Sequence, residues 1–218
     1  MRVKVLQLTL LIFGSVLISA CATVQHKDKD KMDVVLPENA QQLVQLLRTG
    51  GLHIYFRHAH TNWQQRDAEN LDLNKCSQQR NLSKAGRKYA RQIGAAMRAL
   101  NVPVGRVMTS PFCRCVDTAE LAFKRHEIQN QLLALATAPL AVKQERVAWL
   151  QGQFQQVPEQ QTNIVYVSHQ YNFIGAANNP INEADAAIIK PRGGGGFDIL
   201  AILSADQWRQ LARQFSKR

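Results

Sequence analysis

Apolar and polar positions recur along this chain with two periods, and the switches between them mark its elements. From Pro37 to Arg48 the apolar residues Ala40, Leu43, Leu46 and Leu47 return at helical spacing, and Gly50-Gly51 stops the run. Leu52 to Phe56 is a short apolar run that reads as a buried strand. Residues 59–81 are polar and irregular, which predicts an active-site loop. Ser83 reads as a helix N-cap. Tyr89, Ala90, Ile93, Met97 and Leu100 then share one helical face until Asn101-Val102-Pro103. Arg106 to Thr109 reads as a second strand, followed by a helix near Val116 to Phe123. A helix over Leu140 to Phe154 precedes a strongly apolar strand, Asn163 to Ser168, that ends at His169. Two more strands, Ala186 to Lys190 and Phe197 to Leu203, and a closing helix from Ala205 to Phe215 complete the pattern. Gly193 to Gly196 reads as a hairpin loop at the pocket rim, since no Gly-Lys-Ser/Thr and no helix follow it. Strands that alternate with helices predict a three-layer α/β/α sandwich with a mostly parallel central sheet.

The chain opens differently. Arg2 and Lys4 precede an apolar stretch, Leu6 to Ile18, too short for a convincing membrane span. Ile18-Ser19-Ala20-Cys21 then resembles a bacterial lipobox, which implies cleavage before Cys21 and lipidation of that cysteine. Ala22 after it resembles the signal for outer-membrane delivery. The expected organisation is therefore a signal peptide over 1–20, a polar tether over 21–33, and one folded domain over 34–218 on the periplasmic side of the envelope. About 185 residues suffice for one full core.

The whole chain carries 27 basic and 16 acidic residues, a charge of +11. Without Arg2 and Lys4 the remainder has 25 basic residues against 16, or +9. A basic surface suits an anionic substrate or membrane. No basic stripe interleaved with aromatics is present, so nucleic acid is not expected as a partner. Beyond Cys21 the cysteines are Cys76, Cys113 and Cys115. Cys76 and Cys113 are the expected disulfide, because the loop and the turn that carry them should border one site. Cys-x-Cys without a partner pair is a poor zinc signature.

Strand ends supply the candidate chemistry. The first strand delivers Arg57-His58, the second is followed closely by Arg114, and the third ends at His169. Open α/β sheets bind ligands at the carboxyl ends of their strands. A guanidinium meets phosphate with a planar fork, and an imidazole is a nucleophile at neutral pH. The expected chemistry is phosphoryl transfer to His58, with Arg57, Arg114 and His169 around the phosphate and hydrolysis of the phosphohistidine by water. Trp63 and Tyr171 are candidates either for substrate contact or for packing. Arg80 reads as a surface cation, with reach into the pocket from the loop as the alternative, and His60 as a rim residue.

Four segments carry a resemblance. Arg57-His58-Ala59-His60-Thr61, Leu82-Ser83-Lys84-Ala85-Gly86, Ser110-Pro111-Phe112-Cys113-Arg114-Cys115-Val116-Asp117-Thr118-Ala119 and Val165-Tyr166-Val167-Ser168-His169 fall in this order. Together they resemble the histidine phosphatase superfamily, the phosphoglycerate mutase-like group, with alanine for its usual glycine at position 59. The resemblance implies that fold, His58 as nucleophile, and Arg57, Arg114 and His169 as the phosphate pocket, with no metal or cofactor. Many members use a glutamate as general acid, and Glu183 is the candidate here. A small phosphorylated substrate and a membrane held through Cys21 are the expected partners. Two other readings compete: a metallohydrolase built on His58 and His60, and a non-catalytic phosphate-binding envelope module. The sequence leaves the physiological substrate and the oligomeric state open.

Overall fold

The structure, a computed structural model, describes residues 34–158 and 161–216. The signal peptide, Cys21 and the tether lie outside the described residues. Asp33–Arg218 forms one compact unit. Its helices are α1 (Ala40–Thr49), α2 (Lys84–Ala99), α3 (Cys113–Phe123), α4 (Leu140–Gln155), α5 (Gln170–Ala177) and α6 (Ala205–Phe215). Its strands are β1 (His53–Arg57), β2 (Val104–Thr109), β3 (Glu127–Ile128), β4 (Asn163–Ser168), β5 (Ala186–Pro191) and β6 (Phe197–Leu203).

The strands form one sheet in the order β3-β2-β4-β1-β5-β6. Pairs β3/β2, β2/β4 and β4/β1 are parallel, while β5 runs antiparallel to both its neighbours. The sheet is buried on both faces, and its side chains divide with period two. Ile54, Phe56, Val165, Val167 and Ile188 pack with α1, α2, α3 and α6 on one face. Tyr55, Met108, Tyr166, Ala187 and Ile189 pack with α4 and α5 on the other. This is the expected three-layer α/β/α arrangement with a mostly parallel sheet.

The topology locates the ligand edge. The chain leaving β1 goes to α2 on one face, and the chain leaving its neighbour β4 goes to α5 on the opposite face. Connections that part in opposite directions open a crevice at the strands' carboxyl ends. The register sets Arg57 opposite Ser168 and Thr109 opposite Val167. His58, Ser110 and His169, each one step beyond its strand, must therefore meet at that crevice.

Some elements differ from the expected ones. α3 starts at Cys113, three residues earlier than its apolar spacing suggests, and β3 and α5 were not expected. The glycine hairpin does not border the crevice. β5 begins beside Phe56 and runs back along β1, so residues 193–196 turn at the opposite end of the sheet.

Candidate active site

His58 is 2% exposed and lies at the end of β1. Its Nδ1 is 3.0 Å from the carbonyl oxygen of Ala59. A carbonyl only accepts, so the neutral ring carries its proton on Nδ1 and leaves the Nε2 lone pair free to attack. Burial, helped by the positive charges of Arg114, Arg57 and Arg80, pushes the His58 pKa down to about 3 against the opposing bond to Ala59. The ring is neutral over the physiological range, as a nucleophile requires.

His169 stands beside it, with ring centroids 5.6 Å apart. Its Nε2 pairs with the Ser110 hydroxyl at 2.9 Å, and the Tyr55 hydroxyl donates to its backbone carbonyl at 2.7 Å. Burial holds its pKa well below the ordinary histidine value, with His58 and the three arginines adding to the effect.

Three guanidiniums complete the group. Arg57 donates from Nη1 to the Ile181 carbonyl, and its Nη2 lies 3.6 Å from Glu183. Arg114, in the first turn of α3, is 4% exposed and donates to both carboxylate oxygens of Asp67, at 2.9 and 3.2 Å. Arg80 donates to the Thr61 hydroxyl at 2.6 Å and lies 3.5 Å from Glu183. The Nε atoms of Arg57 and Arg114 are buried and meet no acceptor among the described residues. Buried donors normally find a partner. His58, His169, Asp67 and the three arginines, but not Glu183, line a cavity of about 580 Å³, together with Trp63, Glu69, Phe112, Ala136 and Tyr171.

The motif residues around the crevice have visible work. The Ser83 hydroxyl accepts from the Gly86 amide as an N-cap and donates to the His60 carbonyl. A Cβ on Gly86 would sit 1.9 Å from that same carbonyl oxygen, so only glycine lets α2 approach the chain two residues past the nucleophile. Thr118 donates to the Arg114 carbonyl at 2.7 Å and accepts from the Ala59 amide at 3.0 Å. One threonine therefore ties the turn after His58 to the helix that carries Arg114.

Comparison with known proteins bears on the fold. Residues 54–135 match the model of the histidine phosphatase superfamily, branch 1. The fold is the histidine phosphatase fold. The protein histidine phosphatase SixA complexed with tungstate aligns at 17% identity and TM-score 0.50, over 71% of this chain and 97% of its own. The open reading frame Rv3214 of Mycobacterium tuberculosis aligns at 16% and 0.53, over 71% and 98%. A phosphoserine phosphatase of Entamoeba histolytica, in complex with 3-phosphoglyceric acid, aligns at 12% and 0.52, over 72% and 98%. Comparison with curated proteins gives no match.

Within this histidine phosphatase fold the structure brings His58, His169, Arg57 and Arg114 together, and it changes the reading of three other residues. Arg80 is no surface cation. The loop folds it inward over Trp63, with its guanidinium carbon 4.0 Å from the ring centroid. Glu183 is 8% exposed and stands behind Arg57 rather than on the cavity wall. It accepts from the Thr61 amide and hydroxyl at 3.2 and 2.8 Å, and its neighbours are Arg57, Arg80 and His60. That placement suits a residue that positions guanidiniums, not one that reaches a leaving group. His60 turns towards Glu183 and Tyr89, away from a chelating arrangement with His58. Among the described residues no group of three His, Cys, Asp or Glu side chains is arranged to hold a metal ion. Asp67, missed in the sequence, is the partner of Arg114.

Cys76 and Cys113 form a disulfide across 37 residues, and Cys115 stays free and buried. The bridge fastens the loop to α3 beside Arg114, and the Cys113 amide donates to Gln79 at 2.8 Å next to it. Closing a loop of this length contributes about 4 kcal/mol through the unfolded chain. Replacing both cysteines by serine should lower the melting temperature by about 10 °C. An unchanged melting curve would mean that the loop's hydrogen bonds hold it unaided.

The neutral imidazoles also set an acid limit on stability. His53, His58 and His169 all have pKa values below the ordinary 6.5, chiefly through burial. Below pH 6.5 the unfolded chain binds protons that the folded chain refuses. Stability should therefore be full above that pH and fall as pH drops towards the folded values. Urea midpoints measured from pH 7 to 4.5 should decline steadily, and His58→Asn should make the decline shallower by about one proton. Equal slopes would mean that His58 titrates alike in both states.

Proposed function

We propose that this protein is a metal-independent phosphatase that passes the phosphoryl group of a monoester to His58 and then to water. One observation carries the reading: three guanidiniums, two of them with buried unpartnered Nε donors, and a neutral histidine with a bare Nε2 share one cavity. Arg57, Arg80 and Arg114 hold the non-bridging oxygens, where charge spreads as the bond breaks. His169 adds a polar nitrogen beside them. The Nε2 lone pair forms the nitrogen–phosphorus bond as the bond from phosphorus to the leaving oxygen breaks. Glu69, a cavity carboxyl in no ion pair among the described residues, gives that oxygen its proton and then takes one from the attacking water. Two of the similar structures are a protein histidine phosphatase and a phosphoserine phosphatase, which supports the same class of reaction.

The reading extends to place. Lipidation at Cys21 would put the domain on the periplasmic side of the envelope, attached to the outer membrane. The apolar stretch Leu6 to Ile18, the lipobox-like Ile18-Ser19-Ala20-Cys21 and the Cys76–Cys113 disulfide support export. Among the described residues no helix is long and apolar enough to cross a membrane. Loss of labelled palmitate incorporation on Cys21→Ser is the expected result, and labelling retained by that variant would exclude the anchor.

The decisive experiment is p-nitrophenyl phosphate hydrolysis with and without EDTA, with acid-labile phosphoprotein collected after rapid quench. Turnover that ignores EDTA and passes through acid-labile phosphate supports the reading. Turnover lost to EDTA would favour the metal alternative, and phosphate binding without turnover the non-catalytic one.

A further inference from the structure

A second depression, of about 460 Å³, opens beside the catalytic cavity between α4 and α5. The two share Ala136 and Tyr171 in their walls, so one molecule can occupy both. Their chemistry differs sharply. The cavity ends in guanidiniums and imidazoles, whereas the groove is walled by Leu135, Val147 and Ile174, with Lys143 at one edge. Gly175 forms part of it. A Cβ there would lie 2.6 Å from Val147 Cγ2, so the glycine sets how closely the two helices approach.

The core stripe of the helix beside the groove runs on past the sheet. α4 buries Leu150 and Phe154 against the sheet. Leu140, Lys143 and Val147 continue the same stripe towards the start of the helix, spaced three and four residues apart. Leu140 is 71% exposed and Tyr171 59% exposed. Apolar residues that continue from an anionic-ligand cavity along the exposed end of a helix stripe mark a binding surface. Its occupant must be anionic at one end and apolar at the other. Beyond Tyr171, where the groove meets the cavity, the apolar wall residues are all aliphatic, which favours an alkyl chain over a ring.

We propose that the substrate is a lipid phosphate, a monoester of a long aliphatic alcohol. Its phosphate lies among Arg57, Arg80 and Arg114, and its chain passes Tyr171 into the groove between α4 and α5. The inference rests on the phosphatase reading and adds the substrate class. Transfer to His58 breaks the bond between phosphorus and the chain oxygen. The alcohol leaves with the proton from Glu69, and water then releases inorganic phosphate.

The test is kcat/KM for butyl, hexyl, octyl and decyl phosphate, each below its micelle concentration. The protein is the full chain carrying Cys21→Ser, which keeps any acyl group off it. A fully buried methylene is worth about fourfold, so the rise from butyl to decyl should be at least about tenfold. Val147→Glu and Ile174→Glu each put a carboxylate in the groove and should bring the decyl-to-butyl ratio towards one. The ratio is read within each protein, so a general loss of activity does not imitate the effect. A flat series in the wild type, with butyl phosphate still hydrolysed through His58, overturns the lipid proposal and leaves the phosphatase standing. Faster turnover of a hexose phosphate or a phosphopeptide than of decyl phosphate also overturns it. If no substrate, p-nitrophenyl phosphate included, yields phosphohistidine, the phosphatase reading falls and takes this inference with it.

Discussion

Replacing His58 by alanine should lower turnover of p-nitrophenyl phosphate by about 10⁴-fold or more and abolish acid-labile phosphoprotein. The size follows from what the residue supplies. Without a nucleophile the two-step route closes, and the guanidiniums alone can only stabilise direct attack by water. Phosphate binding should survive, because Arg57, Arg80 and Arg114 take their positions from Glu183, Thr61 and Asp67 rather than from the imidazole. The fold should survive as well. The backbone bonds of His58 to Ser168 and Ala184 do not need the ring, and the ring's bond from Nδ1 to the adjacent Ala59 carbonyl is local. Phosphate affinity within a few-fold of wild type, beside lost turnover, is the expected pair of results. Unchanged turnover in His58→Ala would end the phosphohistidine account outright.

His58 and His169 were legible in the sequence for a geometric reason. Each follows directly on an apolar strand, and parallel neighbours in register deliver their next residues to the same edge. Arg114 was legible from its spacing after Ser110-Pro111, which starts α3 at that edge. Arg80 was not. Its position depends on a path without periodicity, fixed by the disulfide, by Asn81 donating to the Cys76 and Gln79 carbonyls, and by Asp67 accepting from the Arg80 amide. No local pattern encodes those contacts. Asp67 was missed for the same reason. In α5 the exposed Tyr171 and the glycine at 175 break the helical signal. Glu183 was legible as a residue near the site but not as to role, since its partners come from Arg57, Thr61 and Arg80, far away in the chain. Gly193 to Gly196 do form the expected hairpin, but not at the pocket rim, because the antiparallel direction of β5 carries them to the other end of the sheet.

Arg114→Ala should reduce kcat/KM by about 10³-fold, the second largest loss expected. Arg114 is the most deeply buried of the three guanidiniums, and removing one preorganised donor from a dry site costs about 10²- to 10³-fold. A second consequence adds to this. In the protein as it stands, Arg114 donates from Nη1 alone to both oxygens of Asp67, so a phosphate that engages this nitrogen competes with a carboxylate. Truncation removes the clamp and leaves the Asp67 charge beside the incoming dianion, so attraction turns to repulsion. Arg114→Lys separates the two effects. It restores a positive charge for Asp67 but not the planar fork, and it should recover about tenfold of the loss. Asp67→Asn provides the opposite test. Freed from its carboxylate partner, Arg114 should bind inorganic phosphate more tightly, and the inhibition constant should fall several-fold. If Asp67→Asn weakens phosphate binding instead, the carboxylate acts mainly to aim the guanidinium, and Arg114→Lys should then be as inactive as Arg114→Ala.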